Sequence, residues 1–322
     1  NIANFHMSLP YMVSFEHSVS LCAAAGYRYL DANLCGMSRK GKRFAPMTED
    51  NWEEQVRGWR KLADDIGVTF SQAHAYFSVD GPIAPDGVPG GEYGEEMMRR
   101  SVLAAEILGP EWMVVHPVTV IDGDRVLEEE TYEYNLKYFR RWHEMFHAHG
   151  VGMAIENMTN HKKYPSPFAA PETLIRLIDE LNEPDIGACL DTGHAFLSGY
   201  DPADYVHKLG KRLKATHIAD NKGKEDDHVA PFQGNIRWAE VMRALREIEY
   251  PHDFAFEIHH LTSRFPVSIQ ADLVRFSHTL GEYLLSDQIF EDAKQFAEWG
   301  VDYLKYDFCN FPASGDAKNA YL

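Results

Sequence analysis

Apolar and polar positions along this chain follow two alternating rhythms. Short, mostly apolar runs recur: NFHMSLP (4–10), YRYLDANL (27–34), VTFSQAHAYF (68–77), EWMVVHPV (111–118), VGMAIENM (151–158), DIGACLDTGH (185–194), LKATHIAD (213–220) and DFAFEIHHL (253–261). Between them lie stretches with helical spacing, such as SFEHSVSLCAAAG (14–26), TEDNWEEQVRGWRKLADDIG (48–67) and EEETYEYNLKYFRRWHEMFHAHG (128–150), several of them ended by Gly. Apolar strands that each lead into a helix indicate a parallel sheet buried on both faces. Eight such units over residues 1–286 predict an α/β (β/α)8 TIM barrel. An open doubly wound sheet would call for a Gly-rich phosphate loop after the first strand, and HMSLPYMVS (6–14) is not one.

A barrel carries its active site at the C-terminal ends of its strands. Six successive predicted strands end on an imidazole or a carboxylate: His74, His116, Glu156, Asp191, His217 and Glu257. Any single one reads equally well as a helix cap or a satisfied core residue. Their coincidence on one rim does not. Three carboxylates aimed into one mouth repel each other and are driven towards protonation unless a cation sits among them. Two Glu, one Asp and one His suit Mn2+ foremost, then Mg2+ or Co2+, with Zn2+ as the remaining option. Cys189, two residues before Asp191 on the same face, is read as core packing.

The segments AIEN, LDTGHAFLSGYDP, LGKRLKATHIADN, DDHVAPFQGNIRW and FAFEIHH resemble the xylose isomerase-like TIM barrels, and among them the sugar phosphate isomerase/epimerase group that includes ketose 3-epimerases. The resemblance implies that Glu156, Asp191, His217 and Glu257 bind a divalent metal. It also implies that Glu156 and Glu257 double as the catalytic acid/base pair, and that His194 contacts substrate. His74, His116 and His228 join the expected substrate-binding set, as does Phe232, which stands where relatives carry a Pro-Gly-Glu-Gly turn and this chain reads Pro231, Phe232, Gln233, Gly234. The implied reaction removes a proton next to a carbonyl of a sugar or keto-sugar and passes through an enediolate. Reprotonation gives an epimer or isomer. A leaving group on the neighbouring carbon would make the same chemistry a lyase or dehydratase, acting on a keto-sugar or 3-keto-glycoside.

The apurinic endonucleases share this barrel and bind three zinc ions. Their pattern calls for His74, His116, Glu156, Asp191, His194, His217, Asp226, His228 and Glu257, and all of these positions are suitably filled. Charge argues against a nucleic-acid substrate: 31 Lys and Arg face 49 Asp and Glu, a net −18, and phosphate backbones need a basic face. SRKGKR (38–43) and HKKYPSP (161–167) are read as solvated loops.

Residues 289–310, IFEDAKQFAEWGVDYLKYDFCN, resemble a fragment of an α-galactosidase barrel, whose nucleophile would be the Asp of KYD, Asp307. One isolated helix and strand cannot supply the second carboxylate that glycoside hydrolysis needs. The expectation is therefore an appended helix–strand segment over 287–322, with no catalytic role for Asp307. The four cysteines lie far apart without a CxxC, the first residues show no basic-then-apolar leader, and no apolar run is long enough to cross a membrane. The expected setting is the cytoplasm, with no membrane or nucleic-acid partner. Helix faces carrying Tyr and Trp would suit a homo-oligomer.

Overall fold

The computed structural model describes residues 2–5, 14–42, 44–160, 163–258, 261–262 and 265–298. Eight parallel strands form one sheet: β1 (Ile2–Phe5), β2 (Tyr29–Asn33), β3 (Thr69–His74), β4 (Trp112–Val115), β5 (Gly152–Glu156), β6 (Ile186–Asp191), β7 (Leu213–His217) and β8 (Phe254–Phe256). Their order is β8-β1-β2-β3-β4-β5-β6-β7. The ring closes between β7 and β8, where Ile218 N–H donates to Ala255 O at 2.7 Å and Glu257 N–H donates to Ile218 O at 3.1 Å. The fold is the expected TIM barrel.

Helices α1 (Phe15–Ala25), α2 (Trp52–Ile66), α3 (Gly91–Leu108), α4 (Glu128–Ala148), α5 (Pro171–Leu181), α6 (Pro202–Leu209), α7 (Trp238–Glu247) and α8 (Val267–Leu285) follow the strands in turn. Their sequences explain their limits. Ser14 caps α1 by accepting from His17 N–H, and Gly26 ends it in the left-handed region at φ 113°. In α2 the buried residues Trp52, Val56, Trp59 and Ala63 fall on one helical face. A further helix, α9 (Gln288–Glu298), buries Ile289, and Arg246 on α7 lies 4.4 Å over the Phe290 ring. Residues 299–322, with Asp307 and the rest of the galactosidase-like motif, lie outside the described residues, as do His161 and Lys162. No described helix is long and apolar enough to cross a membrane.

Strand periodicity divides the core into two layers. Met113, Val115, Met153, Ile155, Ala188 and Leu190 face outward and pack under the helices. Their alternates Trp112, Val114, Ala154, Cys189 and Ala215 face inward and fill the barrel's interior, Cys189 among them as expected. Two residues further along the inward face stand His116, Glu156, Asp191 and His217. The period of two therefore carries these groups into the mouth. Three short features were not foreseen: helices Leu34–Met37 and Thr192–Leu197, and a hairpin pairing Ile121–Asp122 with Arg125–Val126. The two helices are capped by strand-end residues, Asn33 Oδ1 accepting from Gly36 N–H at 2.7 Å and Asp191 Oδ1 accepting from His194 N–H at 2.6 Å.

Candidate functional site

The rim side chains converge. Glu156, Asp191, His217 and Glu257 each offer a ligand atom, and these atoms all lie within 4.8 Å of one another. His217 stands between the two glutamates: its Nδ1 is 3.4 Å from Glu156 Oε1 and 3.0 Å from Glu257 Oε2. All four residues are buried. Asp191 spends Oδ1 on the helix cap, and its buried Oδ2 has no hydrogen-bond partner among the described residues. A buried carboxylate oxygen left without a donor is costly. A cation would satisfy it. Three oxygen donors and one imidazole, with a polar atom to spare, fit a divalent ion.

Burial and like charge make the mouth electrostatically unbalanced. Burial pushes the Asp191 carboxyl up to about 7; His194 and His228 oppose this, and Glu257 and Glu156 add to it. Glu156 goes the other way. Burial works against its charge, but His116 and His217 outweigh that and hold it well below the usual carboxylate range.

Around the four stand the histidines expected to meet substrate. His74 Nδ1 lies 2.9 Å from Ala75 O, His194 Nδ1 lies 2.9 Å from Asn157 O, and His228 Nδ1 lies 2.9 Å from Glu257 O. A carbonyl can only accept, so each Nδ1 carries a proton, and each ring turns its Nε2 towards the mouth. The Nε2 atoms cluster accordingly. His74 Nε2 is 3.0 Å from His116 Nε2, which is 2.9 Å from Glu156 Oε2. Asp226 bridges the other two, 3.3 Å from His194 Nε2 and 3.2 Å from His228 Nε2. The cavity above has a volume of about 930 Å3, with Arg39, Phe77, His116, Tyr164, Asp226 and Glu257 among its walls.

Phe232 is placed differently. It is 53% exposed, with φ 71°, and its ring meets Tyr283 edge-on at 6.0 Å, outside the residues lining the cavity. The cause lies in Asp220, which accepts from Phe232 N–H, Ile236 N–H and the Trp238 indole and so fixes the path of the turn. Lys163 pairs with Asp124 at 2.7 Å, a surface contact.

Several supporting groups were not foreseen. Asp31, fully buried on β2, accepts from His217 Nε2 at 3.1 Å and from the Gln72 amide. That bond fixes the tautomer and leaves His217 Nδ1 to face the glutamates. Asn157 ties the rims of β5 and β6, donating to Asp191 O at 3.0 Å and accepting from Asp191 N–H at 2.7 Å. The available signal was a charged residue inside the apolar run YRYLDANL.

The closed barrel and its polar mouth define a class, and comparison names it. The chain belongs to the xylose isomerase-like TIM barrel family, whose pattern residues 19–275 match. It is 28% identical over 204 residues to the uncharacterized protein MJ1311 of Methanocaldococcus jannaschii, covering 62% of this chain and 66% of that protein, just under two thirds of that relative's length. A crystal structure of a D-tagatose 3-epimerase-like protein matches with a TM-score of 0.71 at 22% identity, over 91% of this chain and 100% of that one. A crystal structure of D-psicose 3-epimerase in the presence of D-fructose matches with a TM-score of 0.69 at 14% identity, over 88% of this chain and 99% of that one. At these identities the likeness to the solved structures is one of fold.

Proposed function

We propose that this protein is a divalent-metal-dependent sugar isomerase or epimerase working by proton abstraction next to a carbonyl. The observation that carries the reading is the convergence of Glu156, Asp191, His217 and Glu257 within 4.8 Å at the mouth, with Asp191 Oδ2 lacking a donor among the described residues. Family membership and the shared fold with ketose 3-epimerases support it. These four residues would hold the ion, with Mn2+ suited best to the donor set and Mg2+, Co2+ or Zn2+ as alternatives. A bound dication would acidify the C–H beside a sugar carbonyl by drawing electron density from its oxygens.

The chain's own groups do the rest. Glu156 and Glu257 flank His217 from two sides, so one takes the proton and the other returns one to the opposite face or to the adjacent carbon. The first outcome epimerises and the second isomerises. His74, His116, His194 and His228 aim Nε2 atoms at the mouth, where they bind and orient hydroxyl groups. Action in the cytoplasm agrees with Cys22, Cys35 and Cys189, which are buried and form no disulfide.

The test is incubation with Mn2+ and a panel of ketoses, aldoses and 3-keto sugars in D2O. Deuterium at the carbon beside the carbonyl, with a new epimer or isomer, is the expected result. Exchange accompanied by loss of water or aglycone would convert the reading to a lyase. A second reading rests on a specific observation: His74, His116 and Glu156 form one ligand group, and Asp191, His194 and His228 another, next to the first four. Such a set suits a multinuclear zinc phosphodiesterase. Cleavage of an abasic-site duplex with no sugar exchange would establish it in place of the first.

A further inference from the structure

Away from the mouth, another group of described residues joins imidazoles to a carboxylate. His143 and His147 stand one turn apart near the end of α4, and Asp185 immediately precedes β6. His143 Nε2 is 2.7 Å from Asp185 Oδ1, and His147 Nδ1 is 2.8 Å from Asp185 Oδ2. Asp185 is at the opposite end of the same strand from Asp191; at about 3.3 Å per residue the two are separated by about 20 Å. The cluster is therefore at the base of the barrel, distinct from the candidate active site.

We propose that His143, His147 and Asp185 form a second cation site, for a borderline divalent transition ion such as Zn2+, that fastens the end of α4 to the start of β6. Two histidines four residues apart present their rings on the same side of a helix, as zinc sites on helices require. Two imidazoles and one carboxylate are a three-ligand set that tetrahedral zinc accepts, with water in the fourth position. The site is half open: the His143 side chain is 13% exposed, Asp185 25% and His147 70%, so an ion can enter from solvent over His147. The nitrogen donors favour Zn2+, Ni2+ or Cu2+ over Mg2+ or Ca2+.

The exchange balances. Without an ion, each imidazole directs an N–H at Asp185. On binding, a neutral ring moves that proton to its other nitrogen, and the lone pair so released turns to the ion along with the carboxylate. A charged ring releases one proton to solvent. Burial works against ionisation of Asp185, but the hydrogen bonds from His147 and His143 outweigh it and hold the carboxyl below its usual range, so the anion is already formed.

The test compares the wild type with H143Q/H147Q, each stripped of metal, dialysed against Zn2+ at neutral pH and assayed for zinc per chain by atomic emission. The double variant is expected to hold one equivalent less than the wild type, whatever the mouth binds. Equal counts would overturn the proposal and leave a metal-free hydrogen-bonded clamp. If the double variant does not fold, D191N protein is titrated with substoichiometric Cu2+ and watched by NMR. Broadening of the His143 and His147 ring protons supports the site, and their persistence overturns it.

Discussion

The two ends of β6 set one kind of residue in opposite circumstances. Asp191 at the mouth and Asp185 at the base each lie among imidazoles. Burial opposes the charge of both. At the base, hydrogen bonds from His147 and His143 prevail, and Asp185 is held below its ordinary value. At the mouth burial prevails over His194 and His228, two glutamates add to it, and Asp191 rises to about 7. The base has an imidazole for each carboxylate oxygen. The mouth has a carboxylate oxygen with no donor among the described residues. A satisfied cluster accepts an ion by exchange, whereas an unsatisfied one needs it. On the proposed reading, stripping metal should therefore disable the mouth and only loosen the base.

The largest expected effect breaks the mouth. E257Q and E156Q each remove a group to which the proposed mechanism gives the proton, while keeping its shape, and each should lower kcat about 100- to 10,000-fold. Deuterium exchange at the carbon beside the carbonyl should fall in parallel. Activity within a few-fold of wild type in both variants would remove these residues from the chemistry. A smaller loss is expected from D31N, because Asp31 acts through His217. Metal affinity at the mouth should drop about 10- to 100-fold, and excess Mn2+ should restore most of the activity. Mn2+ titration separates this behaviour from that of the glutamate variants, which metal cannot rescue.

G234A comes next. A Cβ on Gly234 would overlap Asp220 Oδ1 and the carbonyl of Asn221, both backed by buried structure. Relief requires the 228–238 turn to shift, at a cost of about 1–3 kcal/mol read by urea unfolding. Since that turn carries His228, substrate KM should rise as well.

Much of this was legible in the chain, and the limits have physical causes. Period-two alternation is a local signal, so Glu156, Asp191 and His217 could be placed on the inward face from their own strands. Asp31 showed only as a charge inside an apolar run, because its partner His217 is 186 residues away and no local pattern names that partner. The base cluster was hidden for the same reason, with Asp185 42 residues from His143. Phe232 illustrates the converse. Its place in a rim turn suggested a ring over the substrate, but the hydrogen bonds of Asp220 turn the chain so that the ring meets Tyr283.

The smallest effect sharpens the comparison from the base, through pH. Asp185 is held below its ordinary value in the folded chain, so its contribution to stability is present above the unfolded pKa of about 3.9 and is lost as pH falls through the lowered one. His147 is raised by its hydrogen bond to Asp185, so its contribution is complete below the unfolded pKa of about 6.5 and is lost as pH rises through the folded one. The two overlap most fully between about pH 4 and about pH 6.5. The stability difference between the wild type and D185N, measured by urea unfolding without metal, should therefore peak in that window and shrink on either side. Saturating Zn2+ should reverse the decline on the alkaline side, because the ion competes with the proton for the same nitrogen and binds better as protons leave. A difference that is flat across the whole range, with and without Zn2+, would mean that the carboxylate and the two imidazoles do not act together, and the contrast between the two ends of β6 would lose its physical basis.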